Sequence, residues 1–187
     1  YVSFLIGIIA KSCYCWQQKQ QENKKPPNII FILADDLGYN NVGYHNPKII
    51  TPHIDELARR GVTLEQNYMQ PLCTPSRSSL LTGMYPYHIG RQQWVIYPTT
   101  PTGLSLNRTL LPEALKSFGY DTHLVGKWHL GHCNEAYLPL SRGFDTHVGY
   151  WEGSEAYWTK VALYKLNILL FKFMKVPIYT QNIFANH

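Results

Sequence analysis

At 187 residues, with 45% hydrophobic and 16% charged side chains, the chain is long enough for one packed domain and too apolar to be globally disordered. Its formal net charge of +5 fits an ordinary basic enzyme or one with anionic substrates; the basic residues are scattered and join no nucleic-acid-binding motif, which argues against a nucleic-acid partner. The four cysteines, Cys13, Cys15, Cys73 and Cys133, make no disulfide framework.

Residues 1–10 (YVSFLIGIIA) form an apolar run, well short of the roughly 20 residues that cross a bilayer. The run fits the hydrophobic region of a secretory signal over 1–12, with cleavage after Ser12; a buried strand is the plainer alternative. A polar linker over 13–27 follows and ends in Pro26-Pro27. In a secreted chain, Asn107-Arg108-Thr109 is a glycosylation sequon.

Residues 28–34 (NIIFILA) are continuously apolar and rich in Ile, which predicts a strand buried on both faces of a parallel sheet. The polar turn Asp35-Asp36-Leu37-Gly38 comes next, beyond the C-terminal end of that strand, where open α/β sheets bind ligands. A turn lets adjacent carboxylates approach one hard cation, although Ca²⁺ takes roughly six to eight oxygen ligands and two acids make only part of a shell. Two solvated acids on a surface turn is the plainer reading.

Thr51-Pro52 followed by acids predicts a helix start, with Ile54, Leu57 and Ala58 on one face and Gly61 at the end. A second strand is expected over 62–64. Residues 73–83 (CTPSRSSLLTG) read as a loop turning into a helix that stops at Gly83, and 86–106 as a long surface loop. Residues 109–118 predict a helix ended by Gly119, 120–125 a strand, and 142–150 a short strand. This alternation argues for an α/β fold whose parallel sheet has right-handed crossovers. Residues 161–178 are apolar but carry Lys165, Lys172 and Lys175, which argue against a membrane span. They fit a basic amphipathic helix at a membrane surface or an ordinary segment.

Two clusters offer chemistry. Cys73 near a helix start, with Arg77 four residues on, suits a nucleophile of lowered pKa; a buried structural cysteine is the alternative. Lys127 and His129 lie two apart, so on an extended segment they point the same way and present a cation and an imidazole to an anionic substrate.

Cys73-Thr74-Pro75-Ser76-Arg77 and Gly126-Lys127-Trp128-His129-Leu130-Gly131 resemble the two signatures of the sulfatase family, C-x-P-x-R and G-K-W-H-L-G. The resemblance covers residues 27–160 and includes A-D-D-L-G at Ala34, T-P-H-I-D-E-L-A at Thr51, L-T-G-M-Y-P at Leu81 and R-G-F-D at Arg142. The strings at 67–72 and 149–155 look most like the arylsulfatase B branch, which acts on 4-sulfated N-acetylgalactosamine in dermatan and chondroitin sulfate. The resemblance implies an alkaline-phosphatase-like α/β sandwich, a largely parallel central sheet flanked by helices, with its C-terminal part missing. It implies that residues 28–160 are the N-terminal part of the catalytic domain and that 161–187 is an unassigned tail.

It further implies that a formylglycine-generating enzyme of the secretory pathway converts Cys73 to formylglycine. Asp35, Asp36 and the modified Cys73 would bind Ca²⁺, with Arg77 holding the nucleophile's hydroxyl. Lys127 would contact the sulfate, and His129 would act as the base that releases it. The partners implied are a sulfated carbohydrate or an aryl sulfate, with no stable membrane insertion and a lysosomal or extracellular location. An Asp-Asn ligand pair, a further His and a further Lys that the family carries later have no counterpart here, so little activity is expected of these 187 residues alone. That branch often has a cysteine in the loop before the 109–118 helix; this loop has none, which leaves Cys133 without a partner. The alternatives are an inactive truncated relative serving as a binding protein, and a phosphate or phosphonate monoester hydrolase on the same scaffold.

Overall fold

A computed structural model describes residues 26–156, Trp158, and the backbone of two short strands, Val161–Ala162 and Met174–Lys175, which pair antiparallel. The expected signal, the linker up to residue 25 and the remainder of 161–187 lie outside the described residues. The chain divides into two compact units, one through Glu56 and one from Leu57, the boundary falling inside the first helix.

In the first unit, residues 28–34 are not the buried strand that their composition predicts. They join no sheet among the described residues, and Ile30 and Ile32 are 86% and 79% exposed. Apolar composition makes a segment suitable for a buried strand, but only a neighbour supplying backbone donors and acceptors makes it one. The chain then bends at Asp35-Asp36, as expected, with Asp36 in the left-handed region at φ 56°, a conformation that Asp tolerates better than most residues. Beyond it, Val42 is buried, and the Tyr39 and His45 rings stack with centroids 3.8 Å apart.

Helix α1 (Pro52–Arg60) starts where the Thr-Pro pair predicts. The Thr51 hydroxyl donates to Asp55 at 2.8 Å and accepts the Gly43 N–H at 2.7 Å, while the Asp55 carboxylate also accepts the Tyr44 N–H. The helix start thereby anchors the preceding loop. No residue of α1 is buried, so the face carrying Ile54 and Leu57 is uncovered among the described residues. Residues 62–64 are irregular and exposed instead of a strand.

The second unit holds the core. Helix α2 (Cys73–Thr82) ends, as predicted, at Gly83, whose left-handed backbone (φ 66°) returns its N–H to the Ser79 carbonyl at 2.9 Å. A 3-10 turn, Pro86–Ile89, interrupts the expected loop. Helix α3 (Leu111–Ser117) starts with the Glu113 carboxylate accepting the Leu110 N–H at 2.6 Å. Strand β1 (His123–Lys127) pairs parallel with β2 (Thr146–Tyr150), with Lys127 opposite Tyr150. The pairing runs two residues further through the Trp128 N–H to Tyr150 and the His129 N–H to Trp151, each at 3.0 Å.

Leu104, Leu110, Trp128 and Leu130 are fully buried, with Leu81, Leu124 and Phe144 packed around them. Trp128 meets Phe144 edge to face, and its indole N–H donates to the Tyr137 carbonyl at 2.9 Å, so its polar tip is satisfied inside the core. The R-G-F-D string is structural. Arg142, 3% exposed, pairs with Glu113 and donates to the carbonyls of Leu104, Ser105 and Arg108. Asp145 accepts the Thr122 N–H at 2.8 Å and pairs with Lys116. Close packing of β1 on β2 requires glycine at 149, where a Cβ would lie 2.0 Å from the Gly126 carbonyl oxygen.

Candidate active site

Parallel pairing delivers the signature G-K-W-H-L-G to one end of β1. The strand stops at Lys127; Trp128 turns into the core, and His129 takes a left-handed backbone at φ 58°. That departure ends the simple two-residue alternation which would align Lys127 with His129, yet both side chains are buried there, at 8% and 5% exposure. A non-glycine residue in this conformation is costly and must be held by its neighbours. The Trp151 carbonyl accepts the His129 N–H, and Gly153 packs so closely that a Cβ would lie 2.7 Å from the ring carbon Cε1.

Helix α2 brings the other signature to the same place. Cys73 is its first residue, half-buried and in no disulfide among the described residues. One turn on, Arg77 Nη1 donates to the Lys127 carbonyl at 2.6 Å, which ties the helix to the end of β1. Between them, Thr74 donates its hydroxyl to the His129 carbonyl at 3.0 Å. Cys73, Arg77, Lys127 and His129 thus sit on two segments that are hydrogen-bonded to one another.

The ring of His129 lies 2.9 Å, through Nε2, from the Ile96 carbonyl. A carbonyl only accepts, so Nε2 carries the proton and, in the neutral ring, Nδ1 holds the lone pair. Nδ1 is buried and has no hydrogen-bond partner among the described residues. Burial, above all, pushes the His129 pKa below its ordinary value of 6.5, and the Lys127 and Arg77 cations push the same way; the Ile96 carbonyl and Glu152 oppose them. A neutral imidazole aiming an unshared lone pair beside two cations is equipped to accept a proton near an anion.

Asp35 and Asp36 belong to the first unit. Each offers a carboxylate oxygen within 4.8 Å of the other's, a donor set of hard oxygens that suits Ca²⁺ or Mg²⁺. Cys133 is exposed and forms no disulfide among the described residues.

Two contributors escape the motifs, the Ile96 carbonyl and the Thr74 hydroxyl; a third, Glu152, whose carboxylate pairs with His132 at 2.8 Å, lies in the 149–155 string, which gives it no role by itself. Ile96 acts through its backbone, which leaves no trace in residue type. Thr74 occupies a position that the C-x-P-x-R pattern leaves open.

The family model described as Sulfatase matches residues 27–183. Among curated relatives, the chain is 44% identical over 172 residues to arylsulfatase J of Mus musculus, 44% over 128 residues to arylsulfatase A of Homo sapiens, and 43% over 137 residues to the steryl-sulfatase of Mus musculus. These matches take in 83%, 67% and 67% of this chain, but the chain spans only 29%, 25% and 22% of the relatives' lengths. Among solved structures, one titled "Crystal structure of Ps i-CgsB" is 39% identical with a TM-score of 0.68, and the complex of that protein with k-i-k-neocarrahexaose is 38% identical with 0.69; each match covers 73% of this chain and 30% of the other. These likenesses establish the alkaline-phosphatase-like α/β architecture that the sequence implies, and the chain belongs to the sulfatase family.

Proposed function

We propose that this chain is the nucleophile-bearing part of a sulfuric ester hydrolase and that Cys73, oxidised to formylglycine by a formylglycine-generating enzyme, is the attacking residue. The observation that carries this reading is the buried lone pair of His129 Nδ1, set beside the Lys127 and Arg77 cations on segments joined to the helix that begins at Cys73. Sulfate ester hydrolysis needs cations for an anionic group and a base to accept a proton.

Asp35, Asp36 and the residue at 73 would hold Ca²⁺. The donor chemistry favours a modified residue 73: a thiolate is a soft ligand and suits Ca²⁺ poorly, whereas an oxygen in its place keeps these donors hard. The hydrated aldehyde would supply the attacking hydroxyl, and the cation would polarise the sulfate oxygens. Arg77 would orient the hydroxyl at 73, its guanidinium steadied by the Lys127 carbonyl. Lys127 would place its ammonium on the sulfate, and His129 would accept a proton at Nδ1 while Ile96 keeps Nε2 occupied.

The substrate class that fits is a sulfated carbohydrate or an aryl sulfate. One structural relative is titled as a complex with k-i-k-neocarrahexaose, and the arylsulfatase B-like strings at 67–72 and 149–155 favour a glycosaminoglycan ester. The same resemblance supports a location in the secretory pathway, in lysosomes or outside the cell. Residues 28–160 are then the N-terminal part of the catalytic domain.

Mass analysis of the Cys73 peptide from a secretory expression host tests the reading. Conversion of thiol to aldehyde lowers the mass by roughly 18 Da. An unmodified cysteine after passage through a host that converts other sulfatases would overturn the proposal. Purified as these 187 residues alone, the protein should hydrolyse an aryl sulfate far more slowly than a full-length sulfatase.

A further inference from the structure

Thr74 uses both capacities of its hydroxyl in a place where water is excluded. At 1% exposure, it accepts the Ile96 N–H at 3.1 Å and donates to the His129 carbonyl at 3.0 Å. The carbonyl of that same Ile96 receives the His129 Nε2 proton at 2.9 Å. One hydroxyl thus touches His129 twice, directly at its backbone and indirectly through both main-chain groups of Ile96. The Ile96 segment needs such an anchor, because Trp94 just before it has a left-handed backbone at φ 51°. The neighbouring buried hydroxyl, on Ser78, spends its proton on the Thr74 carbonyl within the same helix and reaches neither Ile96 nor His129.

We propose that Thr74 is a positioning residue that locks the Ile96 carbonyl onto His129 Nε2 and thereby directs the ring's lone pair to Nδ1. The significance for catalysis rests on the reading of His129 as the proton acceptor; the lock itself does not. It couples the two signatures chemically: the residue next to the nucleophile sets the orientation of the base. The hydroxyl accepts from one backbone group and donates to another, which an aliphatic side chain cannot do. Serine preserves the function, and valine, of nearly equal shape, removes it.

The test follows the His129 Nε2 proton by NMR in the 187-residue chain labelled with ¹⁵N at histidine, reading its exchange with water. Loss of one buried hydrogen bond in Thr74→Val should speed that exchange about tenfold, while Thr74→Ser stays within about twofold of the parent. Ser78→Ala removes a comparable buried hydroxyl from the same helix and should leave the exchange unchanged. Equal rates in Thr74→Val and the parent, or the same acceleration in Ser78→Ala, would overturn the proposal. Should Thr74→Val fail to fold, the Ile96 amide of the parent chain decides: protection from exchange supports the lock, and free exchange sinks it. No sulfate ester and no change at Cys73 are needed, so an absence of hydrolysis bears on the proposed function and leaves the role of Thr74 standing.

Discussion

His129 combines a left-handed backbone with a buried ring beside two cations, and the burial and the cations make protonation costly. Its basic form therefore persists to more acid pH than that of a free imidazole. An NMR titration of the ring Cε1 proton should give a midpoint below 6.5, and Glu152→Gln, which removes an opposing carboxylate, should lower it further. A midpoint at or above 6.5 would contradict the burial argument. Residue by residue, Cys73, Arg77, Lys127 and His129 were legible because each stands in a string whose order carries the chemistry. Thr74 and Ile96 were not, because their roles arise from hydrogen bonds that reach 55, 33 and 22 positions along the chain. Nothing local in the sequence encodes such a contact.

Among the elements, helices were easier to read than strands. Helix α2 stops at the glycine that predicted it, and α3 lies within its expected span and ends just before Phe118-Gly119. The expected strand over 120–125 is displaced, and β1 begins at His123, because Thr122 gives its N–H to the Asp145 carboxylate and its hydroxyl proton to the Gly143 carbonyl. Register is a property of two strands, and one strand's apolar pattern leaves it open. The β1–β2 pair carries its own test. Gly149→Ala would set a methyl group 2.0 Å from the Gly126 carbonyl oxygen, which the pair can relieve only by parting. Destabilisation by about 2–3 kcal/mol is expected from urea unfolding, as for overpacking of a tight interior. Loss of less than about 0.5 kcal/mol, the range of neutral surface changes, would show that the strands separate freely.

At the scale of the whole molecule, three groups among the described residues contribute to the response to acid. Burial lowers the pKa of His129 and His147 from 6.5, and the Lys116 contact, followed by the Thr122 N–H, lowers that of Asp145 from 3.8. In each case the unfolded chain binds protons more readily than the folded one, so stability falls as pH falls. The histidines act first, as pH drops through their unfolded value near 6.5, and Asp145 follows as pH passes below its unfolded value near 3.8. Denaturation midpoints measured from pH 8 to pH 3 should decline in these two stages, and His147→Asn should flatten the first. A profile that is level between pH 7 and pH 5 would refute the histidine contribution. Residues 28–34 give the chain one more property at this scale. They hold Asn28 and six apolar residues without proline or charge, and their backbone joins no ladder among the described residues. Such a window is the length and composition of a cross-β seed, able to stack on copies of itself. Pro26-Pro27 on one side and Asp35-Asp36 on the other act as gatekeepers, so stacking seeded in this window would not spread past those flanks.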